Sequence, residues 1–217
     1  MKKLLATSLL ALGLMAGASQ AATILSLTAG TADQLDGTYN PNNPATGAAS
    51  GDNVLVADSL NEGLLLDGTA TLMFTFLGKE AGFNNLFKLV VGDQLLFTNG
   101  SAIGSTTGPL SISPIGGFLP FKFVSNGIDD VVNGSVSSAG ALGTIAFKLL
   151  SATTNTASFL ALFNDGGGPD ADYDDMVIRI DAIRDSQQVV PLPAGLLLLL
   201  SGLAGLGFIG RSRAKKA

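Results

Sequence analysis

Between Phe163 and Ile180 the sequence reads FNDGGGPDADYDDMVIRI, which sets Asp165, Asp170, Asp172, Asp174 and Asp175 within eleven residues. Carboxylates are hard oxygen donors. Asp170, Asp172 and Asp174 alternate in the spacing that lets a loop wrap a cation, with Asp165 or a backbone carbonyl completing the shell. Asp175 adds a fifth carboxylate but occupies the place of the glycine an EF-hand loop requires, and an apolar strand follows instead of a helix. The alternative is a solvated turn, because Asp and Asn bend chains by bonding to their own backbone. Five carboxylates this close repel one another, and Arg179 alone cannot neutralise them, so the spacing favours a bound cation, with calcium the expected ion. A second polar group, Asp129 and Asp130 with Asn126 and Asn133 in NGIDDVVNGS, reads as a hairpin turn.

The rest of the composition narrows the chemistry. The 217-residue chain has no Cys and no His, which removes Ser-His-Asp and Cys-His nucleophiles, histidine proton shuttles and the common zinc sites. It also lacks Trp, the best platform for stacking a sugar ring. A glycoside hydrolase needs only two carboxylates across the scissile bond. Glu62 and Glu80 lie in glycine-flanked turns, however, and no spacing singles out a pair. A non-enzymatic role is expected, with a carboxylate hydrolase as the minor alternative.

The acidic segment sits between two runs that read as strands, and strands dominate the middle of the chain. Thr23–Thr28, Asn53–Ala57, Thr69–Leu77, Asn85–Val91, Gln94–Thr98, Phe118–Val124, Gly143–Leu150, Thr156–Phe163 and Met176–Ile183 are short, and most are rich in β-branched or aromatic residues. Ile145, Phe147 and Leu149 alternate with Ala146 and Lys148, and Ile178, Ile180 and Ala182 with Arg179 and Asp181. A period of two with one polar face predicts antiparallel sheets half exposed to water. The expected fold is an all-β, antiparallel β-sandwich or jelly-roll-like domain. Two long connections, Gly37–Asn53 and Asn99–Gly117, are built from turn formers and read either as a binding rim or as solvated, variable loops.

Both ends of the chain differ from this middle. Residues 1–21 begin with Lys2 and Lys3, continue through an apolar stretch and finish with Ser19 and Ala21 in cleavage-site positions, the pattern of a secretory signal peptide. Residues 22–189 form the expected ectodomain. It keeps six basic residues against all 17 acidic ones, a formal charge of −11. Such a domain repels phosphate backbones, so nucleic acid is excluded as a partner.

Residues 190–217 open with Val190, Pro191, Leu192, Pro193 and Ala194, run uncharged from Ala194 to Gly210, and end in a basic tail that includes Arg211 and Arg213. As a helix of about 1.5 Å rise per residue, the run just reaches across a bilayer core, with the bases retained on the cytoplasmic side. The two prolines keep the backbone extended before it, in a form that a membrane-embedded enzyme can grip. This order resembles the PEP-CTERM class of sorting signals in its VPLPA variety, although Leu192 stands where the founding motif has Glu. The resemblance covers only Val190 to Ala217. It implies a Gram-negative bacterium, transient residence in the inner membrane, removal of the helix by an exosortase, and delivery to the cell surface or extracellular matrix. The resulting expectation is a structural or adhesive surface protein, in contact with extracellular polysaccharide and stabilised by calcium. The alternative is a calcium-dependent glycan-binding module.

Overall fold

A computed structural model of the chain describes residues 23–28, 30–43, 45–126, 128–135, 143–166 and 172–185. These residues form thirteen strands and no α-helix. The first seven strands are β1 (Leu25–Leu27), β2 (Thr31–Gln34), β3 (Asn53–Ala57), β4 (Leu64–Leu66), β5 (Ala70–Gly78), β6 (Asn85–Leu89) and β7 (Leu95–Thr98). The remaining six are β8 (Leu110–Ile112), β9 (Phe121–Ser125), β10 (Ile128–Val132), β11 (Thr144–Ala152), β12 (Thr156–Asn164) and β13 (Met176–Arg184). All pairings are antiparallel. A large sheet has the order β2-β3-β11-β12-β13-β5-β8, a smaller one β10-β9-β6-β7, and β1 and β4 form a separate ribbon.

The two sheets meet face to face through phenylalanines at alternate strand positions, an arrangement consistent with a β-sandwich. Phe74 and Phe76 of β5, Phe147 of β11 and Phe159 and Phe163 of β12 share one core with Phe87 of β6 and Phe121 and Phe123 of β9. Between the sheets, Phe123 stacks on Phe163 at 4.5 Å, and Phe74 tilts against Phe87 at 5.4 Å. Offset and tilted ring pairs add to what their buried area already contributes.

Nine of these strands fall where residue type and alternation place them, with ends shifted by a few residues. The other four are β2, β4, β8 and β10. Three of them have only three or four residues, too short for a pattern to register, and β10 occupies the polar stretch read as a turn. In that stretch the expected hairpin forms, with Asp130 in a strand. Ser125 pairs with Ile128, and Asp130 is bound to Lys122 at 2.7 Å. Asn133 is buried. Its side chain accepts from the Leu64 N–H and donates to the carbonyls of Leu64 and Leu119, each at 2.8 Å.

The expected polar outer face holds for part of the large sheet. Arg179 and Asp181 lie there, paired at 2.8 Å, with Ser158 donating to Asp181 at 2.7 Å. Further along, Val54, Val56, Ala146, Leu160, Leu162 and Val177 form a second apolar cluster on that same outer face. Leu35 closes it, and Tyr39 and Ala48 pack against it, so the Gly37–Asn53 connection is a cover for the sheet. Lys148 fastens this cover by donating to the Gly47 carbonyl at 2.7 Å and to Asp52. Leu149 keeps its place opposite Phe159 but is exposed, and the β11–β12 register slips just after it. The Asn99–Gly117 connection runs back along β5, where Phe76 and Thr107 donate to Ser105 and Phe74 carbonyls at 2.9 Å.

Candidate metal centre

The acidic segment joins β12 to β13, and the antiparallel pairing of Phe163 with Met176 brings its two ends side by side. Asp165 follows β12, and Asp172 to Asp175 lead into β13. The Asp165 N–H donates to the Asp175 carboxylate at 2.7 Å, which closes the mouth of the hairpin. Tyr173 takes a left-handed backbone conformation, φ 60°, and its ring enters the outer apolar cluster. The aspartates on either side of it both reach the cover segment. Asp174 accepts the Asn40 N–H, and Asp172 accepts the Thr38 hydroxyl at 3.3 Å.

Glu80, in the connection after β5, completes the group. Its N–H donates to the Asp174 carbonyl at 2.9 Å, and carboxylate oxygens of Glu80, Asp174 and Asp175 all lie within 4.8 Å of one another. Two oxygens on opposite sides of one calcium ion, each about 2.4 Å from it, are separated by about the same distance. The geometry of the three carboxylates therefore fits a single hard cation. The absence of His and Cys from the chain leaves oxygen as the only donor type.

Burial sets the electrostatics. Asp174 is fully buried, and Asp165 and Asp172 are nearly so, while Asp175 is half-buried and Glu80 exposed. Loss of hydration pushes the Asp174 carboxyl up to about 7; the Asn40 N–H opposes the shift, and the neighbouring Asp172 and Glu80 charges add to it. Asp175 is also pushed up to about 7, chiefly by burial, against the Asp165 N–H and with the Asp165 and Asp172 charges adding to it. Among the described residues no Lys or Arg forms an ion pair with Asp174 or Asp175. The buried oxygens without a donor include Asp174 Oδ1, Asn85 Oδ1 and Asn99 Oδ1, the last on a residue whose N–H donates to the Asn85 carbonyl at 3.1 Å. Asn85 opens β6, and its Nδ2 donates to Asp165 at 2.7 Å and to the Asp175 carbonyl at 3.4 Å.

Of the residues anticipated for metal, Asp165, Asp172, Asp174 and Asp175 converge, and Asp170 lies outside the described residues. Glu80, Asn85, Thr38 and Asn40 were not anticipated as partners. In the sequence Glu80 shows only as a carboxylate in a glycine-flanked turn, and Asn85 as a polar residue opening an apolar strand. Glu62, the other glutamate considered for catalysis, caps a turn by accepting the Asp58 and Ser59 N–H groups at 3.2 and 3.0 Å. Residues 1–21 and the sorting residues Val190, Pro191, Leu192, Pro193, Ala194, Arg211 and Arg213 also lie outside the described residues. Among the described residues no helix is long and apolar enough to cross a membrane.

Beside the carboxylates an open cavity of about 520 Å³ is lined by Tyr39, Asn40, Asn42, Asn43 and Ser50 of the cover segment. No protein-family model matches the sequence, and no curated protein matches it.

Proposed function

We propose that this protein is exported across the inner membrane of a Gram-negative bacterium and serves, without catalysis, as a structural or adhesive component of the cell surface or extracellular matrix. The observation that carries this reading is the order of residues after the last strand. β13 ends at Arg184, and the Val190–Ala194 box, the uncharged run to Gly210 and the bases Arg211 and Arg213 follow. That order suits a domain held briefly at the membrane and released at an extended box by an exosortase-type enzyme. Residues 1–21 suit the leader that starts export. A core of interlocked phenylalanines between antiparallel sheets supports the structural role, since such a body withstands an extracellular setting without disulfides. In a native host, mass spectrometry of protein recovered from the surface or medium should find a chain that begins near Ala22 and ends close to the Pro191-Leu192-Pro193 box. An intact tail retained in the inner membrane would instead mark an ordinary anchor.

The cavity beside the carboxylates favours one second reading, a calcium-dependent glycan-binding module. Asn40, Asn42, Asn43, Ser50 and Tyr39 are residue types that sugar recognition uses, with Asn42 and Asn43 held in place by their bonds to the Lys79 and Leu77 carbonyls. Saturable, calcium-dependent binding to a defined sugar on a glycan array would put this reading first, and absence of binding across the array would leave the matrix role.

A further inference from the structure

We propose that Glu80, Asp174 and Asp175 bind one calcium ion, which fastens the Thr38–Asn43 segment and the β5–β6 connection to the mouth of the β12–β13 hairpin. The assignment is independent of where the protein is finally sorted. It rests on two separate observations. The first is convergence: three carboxylates from two distant parts of the chain offer oxygens within 4.8 Å of one another, the separation a single calcium ion spans. The second is an orphaned acceptor inside the group. Asp174 has no exposed surface, one of its oxygens accepts the Asn40 N–H, and the other, Oδ1, has no donor.

A buried carboxylate oxygen without a donor forfeits its hydration and receives nothing in return, and natural proteins tolerate few such atoms. Asn85 Oδ1, also fully buried and without a donor, belongs to an amide that touches both Asp165 and the Asp175 carbonyl. No Lys or Arg among the described residues pairs with Asp174 or Asp175, and both orphaned atoms are lone-pair donors. A cation supplies what an added proton donor would supply only in part.

The chemistry of the group selects the ion. Calcium accepts six to eight oxygens in irregular geometry, including carboxylates and water, whereas magnesium holds a strict octahedron and keeps several of its waters. Asp174 leaves no room for such a shell on its own side, while exposed Glu80 leaves room for one or two waters on the other. Asp172 and Asp165, in the second layer, add negative potential without being needed as ligands. The segments that would be tied are already in register. The Glu80 N–H meets the Asp174 carbonyl, and the Lys79 N–H meets the Pro41 carbonyl at 3.0 Å.

The test uses the full chain, purified in mild detergent, stripped with EDTA and titrated with calcium chloride in a calorimeter. One saturable site per chain is expected, with Kd between about 10⁻⁶ and 10⁻³ M. Affinity should fall about tenfold or more in Glu80→Gln and in Asp174→Asn, and stay unchanged in Asp130→Asn, which removes a carboxylate elsewhere on the surface. Because Glu80 is exposed, its variant keeps the fold and remains informative even if Asp174→Asn does not. Absence of saturable binding up to about 10 mM calcium overturns the proposal. So does equal affinity in Glu80→Gln and the unaltered chain, or tighter binding of magnesium than of calcium.

Discussion

Asp174 and Asp175 are held up to about 7, chiefly by burial, whereas Asp93 is pulled down to about 2 by the ammonium groups of Lys122 and Lys88. Asp36, Asp52 and Asp58 are likewise lowered, by hydrogen bonds from Thr38, Lys148 and Thr31 respectively. The two sets act in different pH windows. A carboxyl raised on folding stabilises the domain fully below its unfolded value near 4 and loses that contribution as pH climbs through its folded value. The lowered set loses its contribution only as pH falls below about 4. In EDTA the melting temperature should therefore fall as pH rises from about 5 to 8, and Asp174→Asn should flatten that slope by removing one of the two groups. Thermal scans at fixed ionic strength decide it: a profile flat from pH 5 to 8 in the unaltered chain would mean the buried pair does not titrate as described. The aspartates of this group were legible because they are neighbours in sequence. Glu80 and Asn85 were not, since their part in the site depends on how β5 and β6 lie against the β12–β13 hairpin. Asn133 does lie in a turn, as its type and glycine neighbour suggest, but its burial and its bonds to Leu64 and Leu119 depend on long-range partners that local sequence does not show.

At the level of elements, alternation located strands whose two faces have different neighbours, such as β13, where Ile178, Ile180 and Ala182 are buried and Arg179 and Asp181 lie opposite. It failed where both faces are covered. Leu160 and Leu162 lie on the outer face yet are fully buried, because the segment from Leu35 to Asp52 folds over them, and no local period encodes a distant cover. The docking of that cover depends on Gly78 at the end of β5. Its φ is 153°, and a Cβ there would come within 2.2 Å of the Pro41 carbonyl, the acceptor of the Lys79 N–H. Gly78→Ala should therefore displace the Pro41–Asn43 turn, lose the Asn43 and Asn42 bonds to the Leu77 and Lys79 carbonyls, and destabilise the domain by roughly 2–4 kcal/mol. Urea unfolding gives the magnitude, and hydrogen exchange locates the change. Protection retained from Tyr39 to Asp52 in the variant would show that the cover does not rely on this close approach.

For the whole molecule, the governing quantities are a formal charge of −11 over residues 22–189 and the absence of any disulfide. Self-repulsion of that size works against the compact state, and salt bridges such as Lys88–Asp93 and Lys148–Asp52 at the surface relieve little of it. A divalent cation among Glu80, Asp174 and Asp175 acts on both problems. It lowers the net charge at its most crowded point, and it links the β5–β6 connection to the β12–β13 hairpin, where Asp174 in turn holds the Asn40 N–H. Binding only to the folded state stabilises by RT ln(1 + [L]/Kd), about 2.7 kcal/mol when calcium exceeds Kd a hundredfold. For a domain of this size that corresponds to a rise in melting temperature of roughly 5–10 °C. General screening of the repulsion by salt gives a different signature. It depends on ionic strength and not on the identity of the cation, and it persists when single ligands are removed. Melting the full chain at pH 7.5 in EDTA, in millimolar calcium chloride, and in sodium or magnesium chloride of matched ionic strength therefore separates a site from screening. Calcium should raise the transition well beyond both other salts, and Glu80→Gln should lose most of that excess. An equal rise in all three salts would reduce the carboxylates to one part of a diffuse negative surface.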